Sequence, residues 1–296
     1  MGLAGNQRPH PPAAAAERTL NSPGAQPLRL AIAGLGAIGT EVARAVRAGE
    51  APGVEVAAVV EPVACPARDD LAATGVPVHE DLATLTWESL DAVLEAASQA
   101  ALRTIAPQVL SRGVDLVALS TGATLDPDFL ASLLAAAQTT GARIWVPSGA
   151  IGALDVVRAS RVGHVESITL TTTKPPVALA DAPWVVNQGI DLSDVTGPRV
   201  IFTGGPVEAV RGFPQNVNVA ALLALAADDP DRLRVTVVAD PDAPGNVHEV
   251  EALGSFGAMR LRLENRASDA NPKTSALAAQ SVIALLRQLG SPLRFA

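Results

Sequence analysis

The chain has 296 residues, a formal net charge of -8, 48% hydrophobic residues but only 3% aromatic ones, and no tyrosine. That length fits about two domains whose cores are packed mainly by aliphatic side chains. The acidic balance leaves no basic stripe for a nucleic acid, and no apolar run reaches the ~18 residues of a membrane span. The single cysteine, Cys65, rules out an intrachain disulfide and a cysteine-based zinc cluster, so no metal is expected, and it fits a reducing cytoplasm.

Residues 1–27 are rich in Pro, Ala, Gly and Asn and lack the basic start and apolar core of a signal peptide. They read as a disordered tail. From Leu28 onward, short apolar strands are expected at 28–33, 54–60, 91–95, 114–119 and 142–146. Helices are expected at 40–48, 98–111 and 126–139, with Ser98 and Asp126 as N-caps and Pro127 at a first helical position. Such alternation builds βαβ units and a parallel sheet covered on both faces. The first strand feeds directly into Gly34-Leu35-Gly36-Ala37-Ile38-Gly39, a complete G-x-G-x-x-G set. Gly34 allows the tight turn, Gly36 lets backbone approach a pyrophosphate, and Gly39 allows close helix–strand packing. The helix start behind Ala37 and Ile38 offers free amides to the phosphates. Residues 28–152 therefore read as a Rossmann-type dinucleotide-binding domain.

After residue 153 the texture changes to strands in succession, at 165–174, 234–239, 246–253 and 258–264, the last two joined by a hairpin-like Gly254-Ser255-Phe256-Gly257. Consecutive strands point to a mainly antiparallel sheet, so 153–270 reads as a second, α+β domain. Residues 192–209 show no clear pattern, whereas 216–227 are apolar at helical spacing. A final helix is expected from about Lys273 to Leu289, with Asn271 as N-cap and Pro272 at its first position. The pattern leaves open whether this segment, 271–290, returns to the first domain. The fold class is thus α/β, with an exposed second sheet that suggests a homodimer.

Glu61 closes the second strand, where an acidic side chain hydrogen-bonds the adenosine ribose and repels a 2′-phosphate, favouring NAD over NADP. Small residues recur at three later strand ends: Ala96-Ala97-Ser98, Ser120-Thr121-Gly122-Ala123 and Ser148-Gly149-Ala150. In a parallel sheet these ends form the ligand crevice, so Ala97, Ser98, Ser120 and Thr121 are candidate contacts for the nicotinamide half of a cofactor. Among the four histidines, His10, His79 and His164 sit in tail, loop and turn positions that suit solvated side chains. His248 differs, sharing one strand face with Val250 and Ala252 while Glu249 and Glu251 share the other. Lys174 ends a strand face that carries Ile168, Leu170 and Thr172, and an ammonium there is costly unless it meets an anion. A histidine and a lysine on covered faces of one domain make a candidate site.

These motifs resemble the L-aspartate dehydrogenase family: LEAAS at 94–98, STGA at 120–123, PSGAIGALD at 147–155, TTTKPP at 171–176, FPQNVNVAA at 213–221, NVHEVE at 246–251 and NPKTSA at 271–276. They span the chain from about Leu28 to its end, and their combination is more specific than any one. The resemblance implies NAD(P)-dependent oxidation of L-aspartate to iminosuccinate, which water converts to oxaloacetate and ammonia. It implies His248 as the active-site histidine, Ala150 and Asn216 as cofactor contacts near the nicotinamide, and the glycine loop as the pyrophosphate site. Lys174, with Thr172 and Asn218, is inferred to hold the substrate's carboxylates. Glu61 is followed by Pro62, where relatives often have a basic residue, so the choice between NAD and NADP stays open. Two alternatives are weaker. A dihydrodipicolinate-reductase-like enzyme would want a His-His pair, which is absent. A catalytically silent nucleotide sensor would not need His248 and Lys174 on covered faces.

Overall fold

The computed structural model describes residues 26–214, 218–268 and 271–295. The expected tail, apart from its last two residues, and Asn216 lie outside the described residues. The first unit runs β1 (Leu28–Ala33), α1 (Ala37–Arg47), β2 (Val54–Val60), α2 (Pro66–Ala73), β3 (Val78–His79), β4 (Ala92–Glu95), α3 (Gln99–Leu110), β5 (Asp115–Ala118), α4 (Pro127–Thr140) and β6 (Ile144–Trp145). Its strands form one parallel sheet in the order β3-β2-β1-β4-β5-β6. The strand order reverses between β1 and β4, which opens a crevice at their carboxyl ends.

Both faces of this sheet are dry, because alternate residues of each strand feed separate cores. Leu30, Ile32, Val59 and Leu94 pack with Val42 and Val46 of α1 on one side. Ala31, Ala58, Val93 and Leu116 meet Leu102, Ile105 and Val109 of α3 on the other. Ser98 caps α3 by accepting from the Ala101 amide, and Asp126 caps α4 with Pro127 at its first position, as their residue types lead one to expect.

The second unit contains α5 (Leu154–Ser160), β7 (Val165–Lys174), α6 (Pro183–Asn187), β8 (Arg199–Gly204), α7 (Pro206–Gly212), α8 (Asn218–Ala227), β9 (Leu233–Ala239), β10 (Asn246–Gly254) and β11 (Gly257–Asn265). Its sheet has the order β11-β10-β7-β9-β8, with β7–β9 parallel and the remaining pairs antiparallel. One face is covered by α5, α7 and α8, where Ile168, Leu170, Val235 and Val250 join Val157, Ala209 and Leu223. The stretch 192–209, without a clear pattern in sequence, holds β8 and the start of α7. Phe202 of β8 makes edge contacts with Trp184 at 5.0 Å and Phe213 at 5.6 Å, gathering three of the chain's few aromatics in this core.

The C-terminal segment departs from expectation at its start. Residues Asn271–Ser275 form β13, paired antiparallel with β12 (Ala267–Ser268), and α9 begins at Ala276. Ser275, rather than Asn271, is the N-cap, its hydroxyl accepting from the Leu277 amide at 3.2 Å. Pro272 lacks an N–H, which a two-stranded ribbon tolerates as readily as a first helical turn does. α9 packs against α1 through Val282, Ile283, Leu286 and Leu289, within the core of the first unit. Among the described residues no helix is long and apolar enough to cross a membrane.

Candidate active site

The glycine loop is shaped by close approach on one side and open space on the other. Gly34 has φ +101°, and a Cβ there would lie 2.8 Å from the Ala96 carbonyl oxygen. A Cβ on Gly39 would meet the Gly34 carbonyl oxygen at 1.9 Å, so α1 reaches the strand only because the residue is glycine. A Cβ on Gly36 would meet nothing within 4 Å. Gly36 is also the N-cap of α1, without a side-chain cap and with no acidic residue in the first turn. Amides that lack an internal partner, facing open space at a positive dipole end, are what a pyrophosphate requires. The loop therefore fits a dinucleotide.

Glu61 stands beside this loop. Its Oε2 accepts from the Leu35 amide at 2.7 Å and its Oε1 from the Val63 amide at 3.0 Å. An adjoining pocket is lined by Gly34, Val60, Glu61, Glu80, Asp81 and Ala97, so this side of the loop is bounded by carboxylates. Arg68 is turned to Glu80 at 3.1 Å and to the Glu61 carbonyl at 3.0 Å.

The crevice at the strand ends continues into a cavity of about 200 Å³ between the two units. Ile38, Ala97, Ser120 and Ala150 line it from the first unit and the loop that follows it. Lys174, Asn218 and His248 line it from the second. Seven of the side chains singled out from sequence thus share one cleft. Thr172, Ser98 and Thr121 are not among its lining residues. Ser98 is occupied as a helix cap, and Thr121 is 1% exposed, its Oγ1 without a hydrogen-bond partner among the described residues.

His248 and Lys174 reach the cleft from neighbouring strands. His248 on β10 faces Thr172 on β7 in register, and Lys174 lies two residues further along β7 on the same face. His248 is 2% exposed and Lys174 3%. The Thr172 hydroxyl lies 3.1 Å from His248 Nδ1, which orients the ring and leaves Nε2 as the nitrogen for the cleft. Burial lowers the imidazole pKa to about 3, with the Lys174 charge adding to the effect. Burial likewise lowers the Lys174 ammonium to about 8. The imidazole is therefore a neutral proton acceptor, while Lys174 is mostly charged at neutral pH. Asn218 Oδ1 is buried and has no partner among the described residues, so it awaits a donor.

Sequence reasoning missed three supports. Glu95, at the end of β4, is 0% exposed and binds the backbone of two cleft-lining loops. Ser281 of α9 accepts from the Gly149 amide at 3.0 Å, pinning a third loop. Thr274 and Ala278 bring the C-terminal segment into the cleft wall. An acidic residue ending an otherwise apolar strand was a visible signal for Glu95; Ser281 carried none.

Comparison with known proteins agrees with this geometry. Residues 155–289 match the family model described as aspartate dehydrogenase, C-terminal, and residues 34–147 match the homoserine dehydrogenase NAD binding domain. The L-aspartate dehydrogenase of Methanocaldococcus jannaschii is 38% identical over 267 residues, covering 90% of this chain and 98% of the relative. That of Methanocella arvoryzae is 39% identical, with 90% and 98% covered. The chain belongs to the aspartate dehydrogenase family. The solved aspartate dehydrogenase of Thermotoga maritima is 27% identical with a TM-score of 0.71, covering 91% of this chain and 99% of that one. The two family-model segments meet between residues 147 and 155, at the loop carrying Ala150, which borders the cleft.

Proposed function

We propose that the chain oxidises L-aspartate with NAD(P), releasing iminosuccinate that water converts to oxaloacetate and ammonia. The observation carrying this reading is that His248 and Lys174 open into the same cleft as the small-residue strand ends of a dinucleotide domain. A bound NAD(P) supplies the acceptor for the hydride that leaves Cα. The chain's own residues prepare the substrate. Hydride cannot leave an ammonium-bearing carbon, so the α-amine must first lose a proton, and neutral His248 takes it. Two substrate carboxylates entering the cleft raise the proton affinity of the imidazole from its low resting value. Lys174 pairs with a carboxylate, which offsets the cost of its own burial. Asn218 Oδ1 accepts from the substrate amine or from the cofactor's carboxamide.

Supporting roles follow from placement. Gly34, Gly36, Ala37, Ile38 and Gly39 hold the pyrophosphate; Glu61 takes the adenosine ribose, which favours NAD. Ala97, Ser120 and Ala150 bound the nicotinamide end. Thr172 serves through His248 rather than by touching substrate, and Ser98 and Thr121 shape their loops. We take 28–152 as the dinucleotide domain, joined by α9, and 153–270 as the substrate domain. A homodimer is supported by the uncovered face of the five-stranded sheet, where Arg262 pairs with Glu249 at 2.8 Å and Arg260 with Glu251 at 3.1 Å. A cytoplasmic location is supported by the free thiol of Cys65. The test is NADH formation across a panel of amino acids: L-aspartate is expected to be the preferred substrate, and a better rate with any neutral amino acid would remove the role given to Lys174.

A further inference from the structure

Among the described residues Glu95 is the one acidic side chain that is fully buried, and the reaction outlined above does not use it. It ends β4, which lies between β1 and β5 and, with β1, flanks the crevice. Its Oε1 accepts from the Ala97 amide at 2.9 Å and from the Ser120 hydroxyl at 2.8 Å, and its Oε2 accepts from the Ser120 amide at 3.0 Å. Three donors converging on one carboxyl favour its ionised form. Burial acts the other way and raises its pKa. No ion pair joins it to a cationic side chain among the described residues. Ala97 and Ser120, the residues it grips, are themselves cleft wall, and no carboxylate lines that cleft among the described residues.

The cleft therefore has a charged axis. The Lys174 ammonium stands on the wall supplied by the second unit, and the Glu95 carboxylate stands behind Ala97 and Ser120 of the wall supplied by the first. An oxidised nicotinamide ring is cationic and a reduced one is neutral. We propose that Glu95 is a positioning residue whose buried charge, held behind Ala97 and Ser120, makes the site select the oxidised dinucleotide over the reduced one. This rests on the dinucleotide reading given above. A unit charge at this depth, weakly screened by solvent, changes the preference between the two redox forms by ~10-fold or more.

The test is equilibrium binding of NAD and of NADH, each measured without substrate by calorimetry. In Glu95→Gln the ratio of the two affinities is expected to move ~10-fold toward NADH. In Glu95→Asp, which keeps the charge, the ratio is expected to hold even where both affinities weaken through disturbed loops. A purely structural role would weaken both forms equally in both variants, and an unchanged ratio in Glu95→Gln overturns the proposal. Should Glu95→Gln fail to fold, Glu95→Ala removes the same charge together with the side chain. The ratio is expected to move toward NADH there as well, and an unchanged ratio overturns the proposal equally. Failure of the wild-type protein to bind either form would instead overturn the dinucleotide reading, so the two failures are distinct.

Discussion

Replacing Lys174 by methionine separates the cost of the site from its use. The folded protein lowers this ammonium from the ordinary 10.5 to about 8 through burial alone. Keeping it charged inside the fold therefore costs on the order of 3 kcal/mol at pH 7, and ~1–3 kcal/mol once relaxation around the charge is allowed for. Methionine has similar length and no charge. Lys174→Met is expected to stabilise the ligand-free protein by that amount at pH 7. The sign follows from linkage. Below pH 8 the lysine is protonated in both states and the folded state bears the full cost. Between pH 8 and 10.5 the folded state releases its proton before the unfolded chain does, so wild-type stability rises with pH. The advantage of methionine is therefore largest at pH 7 and fades towards pH 10.5. Urea unfolding at pH 7 and at pH 10 reads this directly, provided the m-value is unchanged. In the same variant the KM for aspartate is expected to rise ~10–100-fold, the loss of a charge-assisted contact, with NADH affinity retained. A variant less stable than wild type at pH 7, with an unchanged KM, would refute the claim that this lysine is held charged for a substrate carboxylate.

Other consequences are open to equally direct tests. His248→Ala is expected to lower turnover by ~10²–10⁴ with NADH affinity little changed, and full activity in steady-state assays would remove the imidazole from the reaction. Thr172→Val deletes the hydroxyl beside Nδ1 and is expected to lower kcat ~10-fold at constant aspartate KM; a pure KM effect would mean that Thr172 touches substrate instead. Acid should destabilise the fold. The imidazole pKa falls from 6.5 to about 3 on folding, so below pH 6.5 the unfolded chain takes up a proton that the folded one refuses. Thermal melts should then lose up to ~1.4 kcal/mol per pH unit through that window. His248→Asn should flatten that slope, and an unaltered slope counts against the burial argument. Glu61→Gln is expected to narrow the NAD over NADP preference ~10-fold in kcat/KM; a widened preference would show that the carboxylate does not face the ribose.

The first half of the fold was legible because its central strands β1, β4 and β5 are buried on both faces and its elements are punctuated by glycine or a cap residue. Val54–Val60 and the Ser98 and Asp126 caps announce themselves in composition alone. The covered-face assignments of His248 and Lys174 were legible too, since period-two alternation fixes which side chains share a face. What local pattern did not carry was long-range supply. β8 has Val200 at 60% exposure and Phe202 at 4%, on an edge strand with a register shift, so its alternation is blurred. The start of α9 was displaced because Asn271 and Ser275 are both good caps, and only pairing with β12 decides between them. Ser281 reaches Gly149 across 132 positions in the chain, which no window of sequence registers. Thr172 was assigned to substrate on the face it shares with Lys174; its hydroxyl lies 3.1 Å from His248 Nδ1, and it is not among the residues lining the cleft, neither of which a window of sequence registers.

The central claim is that a buried imidazole and the hydride acceptor meet over the α-carbon of aspartate. L-aspartate deuterated at Cα, incubated with NAD, tests it most directly by mass spectrometry of the recovered dinucleotide. Label appearing in the reduced nicotinamide with the wild-type protein, and suppressed by His248→Ala in step with turnover, is the result the account predicts. Unlabelled NADH, or equal labelling by the two proteins at equal rates, would contradict it.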